Sequence, residues 1–302
     1  MESIQNIKSR LGAVKNVGKI TKAMEVVSAT KMRKAQEVAL RSRSYAIRAL
    51  RLLQDLSEHA PAVNIFMKER EVHNTLVVLV ASDRGLAGSF NTQVFRVAEA
   101  VLASPNTSVI ALGKKALLYT QKKNLPIVES HIGFGDFIDF DEVAPVANRI
   151  IAGFRDGSWD RVLTVSTHFR TTLKQETLVR QILPTDYQKI KEIVDEITPE
   201  HGRYSNKNNE ESSYHKSTVD YIYEPSVEGV LNELIPYLLS LQLYHVMLEA
   251  NASEHSARMV AMKTASDNAE DLSGSLVLLA NKARQASITK EMIEIISTQN
   301  AL

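Results

Sequence analysis

The 302-residue sequence contains no cysteine, which excludes disulfide bonds, thiolate chemistry and cysteine-based zinc sites. Long apolar runs are also absent. The longest uncharged one, residues 234–248, is shorter than the roughly 20 residues of a membrane-spanning helix, and Pro236, Gln242 and His245 interrupt it. No apolar segment follows the N-terminus, which argues against a secretory signal. With 44% hydrophobic and 24% charged residues, the composition is that of a globular protein.

The common catalytic motifs are missing as well. The sequence has no G-x-x-x-x-G-K-[ST], no G-x-G-x-x-G after its first predicted strand, no H-E-x-x-H and no G-x-S-x-G. The most site-like segment is the turn SDRGLAGSFN, residues 82–91, at a position where doubly wound folds bind ligands. We favour a tight structural turn, with Asp83 and Arg84 in a structural or partner contact, over a phosphate-binding turn. Three aspartates within residues 135–142 indicate a helix cap rather than a metal site.

Proline and glycine are scarce at both ends of the chain. Residues 3–57 contain no proline and only Gly12 and Gly18, and residues 238–300 contain only Gly274. This scarcity predicts an N-terminal helix over residues 1–60 and a C-terminal helix over residues 225–302, with Ser226 as the N-cap of the second helix. Helices this long at opposite ends of a chain favour an antiparallel coiled coil that projects from a body.

The middle of the chain, residues 73–224, predicts that body. Apolar runs at residues 75–82, 108–113 and 125–132, and later at 160–169, alternate with helical patterns. Further strands are expected at residues 176–184 and 219–225, and a polar exposed loop at residues 198–217. Alternating strands and helices indicate a doubly wound, Rossmann-like α/β domain.

The net charge of +1 conceals opposite charges at the two ends of the chain. Residues 1–58 carry a net charge of +7 and residues 226–302 a net charge of −4. On an ideal helical wheel the N-terminal cations gather largely on one side, among them Lys8, Lys15, Lys19, Lys22, Arg33, Lys34, Arg41, Arg48 and Arg51. The apolar residues fall largely opposite, and we expect them to pack on the other helix: Val14, Val17, Ile20, Met24, Val27, Met32, Ala35, Val38, Leu50, Leu53 and Leu56.

A cationic face with almost no acids favours a negatively charged partner over a merely solvated surface. Nucleic acid fits poorly, because no aromatic residue interrupts the basic stretch before Tyr45. A membrane surface also fits poorly, because the apolar face lacks Trp and Phe. An acidic protein partner is the preferred interpretation.

The C-terminal helix has a different character. Small residues dominate its middle and permit close helix approach: Ala250, Ala252, Ser253, Ser256, Ala257, Ala261, Ala265 and Ala269. Its end is apolar, with Met292, Ile293, Ile295 and Ile296, and we expect that tip to be enclosed by another protein.

Four ordered segments, residues 19–36, 82–91, 253–272 and 281–295, resemble the gamma subunit of F-type ATP synthase. The resemblance implies the central-stalk rotor, which couples proton flow to ATP synthesis and hydrolysis and regulates ATPase activity without catalysing a reaction itself. It implies that the two helices lie inside an alpha/beta hexamer and that the body lies against the epsilon subunit and the c-subunit ring. Nucleotide and Mg would be held by partner subunits, so no cofactor or metal is expected on this chain.

Residue roles follow from the matching motifs. The resemblance implies contact with beta subunits by Lys19, Lys22, Met24, Arg33, Lys34, Arg284, Gln285 and Thr289. It implies a bearing tip at Ile295, Ile296 and Leu302, and a lower-shaft contact at Arg258. Contacts of the foot with epsilon and the c ring are implied for Asp83, Arg84, Tyr221 and Glu224.

The sequence departs from many family members at Ala87 and Ser89 and in the enlarged loop at 198–217, which lacks the cysteine pair of the chloroplast type. Because the chain begins directly with the shaft helix, we expect a bacterial or mature form at the cytoplasmic face of the inner membrane. Two other functions stay open from the residues alone: a basic coiled-coil adaptor for nucleic acid, and a stand-alone α/β enzyme.

Overall fold

A computed structural model describes residues 3–59, 64–135, 138–185, 224 and 226–299, without the side chains of residues 42–59, 227, 294 and 297–299. The predicted loop at 198–217 and strand at 219–225, including Tyr221, lie almost wholly outside the described residues, as does Leu302. In the part of the chain that the structure describes, no helix combines the length and apolarity needed to cross a bilayer.

Five helices and five strands follow one another along the described chain, in the alternation that the sequence predicts. The helices are α1 (Ile4–His59), α2 (Phe90–Leu102), α3 (Lys114–Lys122), α4 (Phe140–Arg155) and α5 (Val227–Gln299). The strands are β1 (Thr75–Val80), β2 (Thr107–Leu112), β3 (Ile127–His131), β4 (Arg161–Phe169) and β5 (Gln175–Leu183).

The chain forms two compact units, and α1 and α5 each contribute to both. Residues 1–29 and 258–302 make up one unit, which we call the helical pair. Residues 30–257 make up the other unit, which we call the body. Each unit has its own packing pattern.

The body is built around a five-stranded sheet with strand order β3-β2-β1-β4-β5. Strands β1 to β4 are parallel neighbours, and β5 pairs antiparallel with β4. The order reverses at β1, where the next strand in space is β4 rather than β2, which is the arrangement of a doubly wound fold. The predicted fold class is therefore confirmed.

Two apolar clusters cover the two faces of this sheet. On one face, α2 and α3 bury Val94, Ala98 and Ala116 against β1, β2 and β4. On the other face, α4 and the first turns of α5 pack against the sheet, with Ile235 and Val246 at most 1% exposed. Continuous burial of β1, all six residues, explains why its sequence is a run of apolar residues rather than an alternation.

The start of α5 confirms the predicted N-cap, because the Ser226 Oγ accepts a hydrogen bond from the Gly229 N–H at 3.1 Å. The helix then continues through Pro236 as one element. The predicted cap of α4 is also present, since Glu142 accepts a hydrogen bond from the Asp139 backbone N–H.

The helical pair has a coiled-coil seam in which buried residues recur every seven positions. On α1 the buried side chains are Ile7, Thr21 and Ser28, and on α5 the buried apolar ones are Met262, Ala269 and Leu276. A Cβ added to Gly18 would lie 3.3 Å from the Ala269 Cβ, so the two backbones approach closely. Gly18 lies 11 residues before the last residue of its segment, Ala29, and Ala269 lies 11 residues after the first residue of its segment, Arg258, as expected of antiparallel helices.

The predicted apolar face of α1 was wrong for three of its members. Val17, Ile20 and Val27 are 53%, 60% and 50% exposed, whereas Thr21 and Ser28 are buried. The ideal wheel selected the bulkiest apolar residues, but a seam this narrow accepts small side chains. The Thr21 hydroxyl can be buried there because it donates to the Val17 and Gly18 carbonyls at 3.1 and 3.0 Å.

Candidate partner-binding surface

Four cations of α1 with a predicted contact role lie on the surface of the helix. Lys19 and Lys22 are exposed in the helical pair, and Arg33 and Lys34 are exposed in the body, while Met24 is half-buried. In the helical pair the seam residues occupy heptad positions other than those of Lys19 and Lys22, so these two charges lie outside the seam.

The charges on this surface are not equally available. The Lys22 Nζ lies 3.0 Å from Glu25 Oε2, and the Lys34 Nζ lies 3.9 Å from Glu37 Oε2. The hydrogen bond to Glu25, and then its charge, raise the pKa of Lys22, and Asp267 and Glu270 of α5 add to that effect. Among the described residues Lys19 and Arg33 make no ion pair or hydrogen bond through their side chains. The α5 carboxylates thus supply acids that the α1 sequence alone lacks.

Exposed apolar side chains accompany these cations. Val17, Ile20, Val26 and Val27 are each at least half exposed on α1. On α5 the most exposed apolar side chain in the middle of the segment is Leu278, at 72%. Apolar residues arranged along a helix pair in this way are typical of a surface that another protein covers.

The C-terminal part of α5 places the other predicted contact residues on the surface of the same unit. Arg284, Gln285 and Thr289 are exposed, and the Thr289 hydroxyl donates to the Gln285 carbonyl at 2.9 Å. Beyond them Ile295 and Ile296 are 64% and 56% exposed. The helical pair therefore exposes residues from both helices for which contact with a beta subunit was predicted: Lys19 and Lys22 on α1, and Arg284, Gln285 and Thr289 on α5.

The turn after β1 is organised by the Asp83 carboxylate. Its Oδ1 accepts from the Lys114 N–H at 2.7 Å, and its Oδ2 accepts from the Gly133 N–H at 3.0 Å. Asn91 further ties the turn by accepting from the Ser82 N–H at 3.1 Å. Asp83 thus supplies an internal anion at the N-terminus of α3, which supports the structural interpretation of this turn over a phosphate-binding one.

Gly113, just before α3, allows the strands and the turn to meet. It has φ +96°, and a Cβ there would lie 2.0 Å from the Ala81 carbonyl oxygen.

The remaining predicted contact residues differ in exposure. Arg84 and Glu224 are exposed. Arg258, for which a contact role was predicted, is only 7% exposed, so its side chain belongs mainly to the interior.

A buried charged cluster in the body was missed by the sequence interpretation. Glu249 of α5 lies 3.1 Å from His168 Nδ1 through one oxygen and 3.1 Å from Arg180 Nη1 through the other. Burial raises the pKa of Glu249, but the contacts with His168 and Arg180 outweigh it, and the pKa stays below its ordinary value. The one sequence signal was the recurrence of Gln242, His245 and Glu249 on one side of an otherwise apolar helix.

Comparisons with known proteins agree with this architecture. A sequence model of the family described as ATP synthase matches residues 3–302. An ATP synthase gamma chain of Roseiflexus sp. (strain RS-1) is 37% identical over 310 residues, which cover 100% of this chain and 99% of that protein. An ATP synthase gamma chain of Chlorobaculum tepidum is 35% identical over 312 residues, with the same two coverages.

Solved structures show the same fold. A chain from the rotor of Euglena gracilis mitochondrial ATP synthase in rotational state 1 has a TM-score of 0.61 at 20% identity, covering 94% of this chain and 98% of that one. A chain from the OSCP/F1/c-ring structure of the same enzyme in rotational state 3 has a TM-score of 0.66 at 18% identity. The second match covers 99% of this chain and 94% of the chain compared.

Proposed function

The chain belongs to the ATP synthase gamma-chain family, and from that premise we propose that it is the central-stalk rotor subunit of an F-type ATP synthase. In this proposal it couples proton flow through a membrane ring to ATP synthesis and hydrolysis in an alpha/beta hexamer, and it regulates the ATPase activity. It acts mechanically, by contacting each conformational state of its partners differently and so shifting their equilibrium.

The observation that supports this proposal is the surface of the helical pair. Exposed apolar residues, Ile20 on α1 and Leu278 on α5, occur in the same unit as cations such as Lys19, whose side chain makes no ion pair or hydrogen bond among the described residues. An enclosing protein with acidic loops would satisfy both features at once. A nucleic-acid adaptor or a stand-alone enzyme has no comparable support from the family assignment.

Partner contacts are part of the proposal. Beta subunits would contact Lys19, Lys22 and the other exposed cations of α1, together with Arg284, Gln285 and Thr289 of α5. The tip at Ile295 and Ile296 would turn inside the hexamer. The body would contact the epsilon subunit and the c ring, with Arg84 and Glu224 as exposed candidates and Tyr221 as a candidate outside the described residues.

Catalysis would belong to the partners. We propose that this chain binds no nucleotide, Mg or other cofactor, and that it is held peripherally at the cytoplasmic face of a bacterial inner membrane through the complex. The purified chain should therefore not hydrolyse ATP. Hydrolysis by the chain alone would contradict this part of the proposal.

Reconstitution of the whole complex in vesicles with shortened shafts tests the mechanical role. Cutting back both α1 and α5 within the helical pair should abolish ATP-driven proton pumping, because the coupling surface is removed. Removing only residues 296–302 should be milder, since a bearing tip guides rotation more than it transmits torque. Unchanged pumping after the extensive truncation would contradict the shaft mechanism.

A further inference from the structure

A polar stripe crosses the apolar part of α5 where this helix packs on β4 and β5 in the body. At about 100° per residue its members lie within an arc of about 80°. They are Gln242, His245, Glu249, Ser253 and Ser256. The Glu249 side chain is 14% exposed, and the other four residues are at most 6% exposed. A continuous polar stripe at a buried interface requires hydrogen-bond partners along its whole length.

The C-terminal half of the stripe has direct partners on the sheet side. Glu249 contacts His168 and Arg180, as described above. The Ser253 hydroxyl donates to the Thr167 carbonyl at 3.4 Å, and the Ser256 hydroxyl donates to the Thr172 carbonyl at 2.7 Å.

The N-terminal half differs. Gln242 is 6% exposed, and neither its Nε2 nor its Oε1 has a hydrogen-bond partner among the described residues. Leaving both ends of a buried amide unpaired is costly, so native proteins rarely do so.

Ser166 shows the same deficit on the opposite side of the contact. It is 1% exposed, and its Oγ has no hydrogen-bond partner in the described part of the chain. It lies on β4 two residues from His168 and two from Thr164, which pairs with Arg180 across the strands. Side chains alternate along β4, so Ser166 shares a sheet face with His168, which contacts Glu249, and this is the face that α5 covers.

We propose that this contact holds ordered internal water at two points, one beside the Ser166 hydroxyl and one beside the Gln242 amide, which lies about two helical turns before Glu249. Water supplies both donors and acceptors, so it satisfies an amide and a hydroxyl that direct protein contacts leave unpaired. The contact between α5 and the sheet is then direct through Glu249, Ser253 and Ser256, and water-mediated at Gln242 and at Ser166. The inference concerns the body alone and does not depend on the proposed rotor function.

A high-resolution experimental structure of the chain, alone or in its complex, tests the site directly. The expected result is density for ordered water within hydrogen-bond distance of Ser166 Oγ and of the Gln242 amide. A Gln242 amide paired directly with protein groups, with no water beside Ser166, would overturn the proposal.

Thermal unfolding of full-length variants provides a second test. Gln242→Met keeps the side-chain length and removes the amide. If the amide holds water, its loss should lower the Tm by about 2–4 °C, the shift that loss of one hydrogen-bonded group produces in a protein of this size. If the amide is dry and unpaired, removing it relieves a burial cost and the Tm should rise, which contradicts the proposal.

Ser166→Ala should lower the Tm in the same way, and Ser240→Ala is the matched control. Ser240 lies on the opposite side of α5, is 6% exposed, and its hydroxyl donates to the Pro236 carbonyl at 2.9 Å. Its variant therefore measures the cost of removing a buried hydroxyl that already has a partner. A Ser166→Ala effect of the same sign and similar size supports a satisfied Ser166, and a stabilised Ser166→Ala protein argues against water there.

Discussion

At the scale of single residues, two glycines determine how closely neighbouring groups approach. Gly18 brings α1 against Ala269 in the helical pair, and Gly153 of α4 leaves room for the Trp159 ring in the body. Neither role follows from the sequence, in which a glycine inside a helix only lowers helix propensity. The partner residue that makes the glycine necessary lies elsewhere in the chain in both cases.

Replacing Gly18 with Leu should destabilise the helical pair by about 1–3 kcal/mol, because a bulky side chain would separate the seam. Amide hydrogen exchange across residues 4–29 measures the effect, which should appear as faster exchange. Gly12→Ala is the matched control, since a Cβ there meets nothing within 4 Å and alanine favours the helix by up to about 1 kcal/mol. Equal protection in the Gly18→Leu and Gly12→Ala proteins would contradict the seam.

Gly153→Ala should displace the only tryptophan of the chain. A Cβ at Gly153 would lie 2.1 Å from the Trp159 ring, whose Nε1–H donates to the Ile150 carbonyl at 3.0 Å. We expect a loss of at least about 2 kcal/mol of stability and a red-shifted tryptophan emission as the indole gains exposure. Gly274→Ala, in open space on α5, should change neither quantity adversely.

The buried His245 should make the free energy of unfolding depend on pH. Burial lowers its pKa from 6.5 to about 4, and the Glu249 carboxylate opposes this shift only in part. The unfolded chain therefore takes up a proton below pH 6.5 that the folded chain resists until about pH 4. Stability should be fully present above pH 6.5 and fall by roughly 3 kcal/mol between pH 6.5 and 4.

Urea unfolding across this range, with His245→Asn for comparison, measures the slope. The variant should show a flatter profile from pH 6.5 to 4, because it has no group to protonate there. The lowered pKa of Glu249 affects stability only from about pH 4.5, its ordinary value, downward, so it overlaps only the acid end of the range and does not produce the same slope. Identical profiles for both proteins would show that His245 is not the responsible group.

At the scale of elements, the turn after β1 connects three parts of the sheet through one side chain. The sequence predicted the strands β1, β2 and β3 and the position of the turn after β1, because apolar runs and glycines are local signals. It could not show that Asp83 reaches the N–H groups of Lys114 and Gly133, which lie far along the chain. Contacts of this kind depend on the strand order and not on local spacing.

Asp83→Ala should cost about 1–3 kcal/mol of stability, because two N–H groups lose their acceptor. Asp83→Asn keeps one acceptor oxygen and should be intermediate. Arg84→Ala, an exposed neighbour, should change stability by no more than about 0.5 kcal/mol. Thermal unfolding ranks the three variants. An Asp83→Ala protein with unchanged stability but weakened assembly would instead favour a partner contact.

The seam of the helical pair shows where local patterns failed. Long helices were predictable from the scarcity of proline and glycine, and their existence needed no knowledge of the partner. Which face packs inward was not predictable from hydrophobicity, since Thr21 and Ser28 are buried while Ile20 is exposed. The choice depends on how closely the second helix approaches, and Ala269 sets that distance.

At the scale of the whole molecule, the family and fold could be predicted from ordered motifs, whereas the state of each surface charge could not. The sequence suggested that the α1 cations lacked acids nearby. The structure brings Asp267 and Glu270 close enough to affect Lys22 and leaves Lys19 without an ion pair among the described residues. The two lysines, three residues apart, are therefore unequal candidates for binding an acidic partner.

Charge reversal at these two positions should separate coupling from assembly. In the reconstituted complex, Lys19→Glu should lower the ratio of proton pumping to ATP hydrolysis, because the new carboxylate would repel the acidic partner that the lysine attracts. Lys22→Glu should act in the same direction and also oppose Glu25 within the helix. Because these charges are exposed, both effects should weaken as added salt shortens the screening length below about 10 Å.

Arg96→Glu on α2 is the control, since it makes the same charge change on an exposed residue of the body. It should leave the ratio unchanged, and all three variants should still assemble, because exposed charges contribute little to stability.

A double variant, Lys22→Glu with Glu25→Lys, restores the internal pair while exchanging its positions. If that exchange restores coupling, the internal pair is what matters at Lys22. If only Lys19→Glu remains defective, the contact with the partner passes through the unpaired charge, as a surface that must bind and release repeatedly requires.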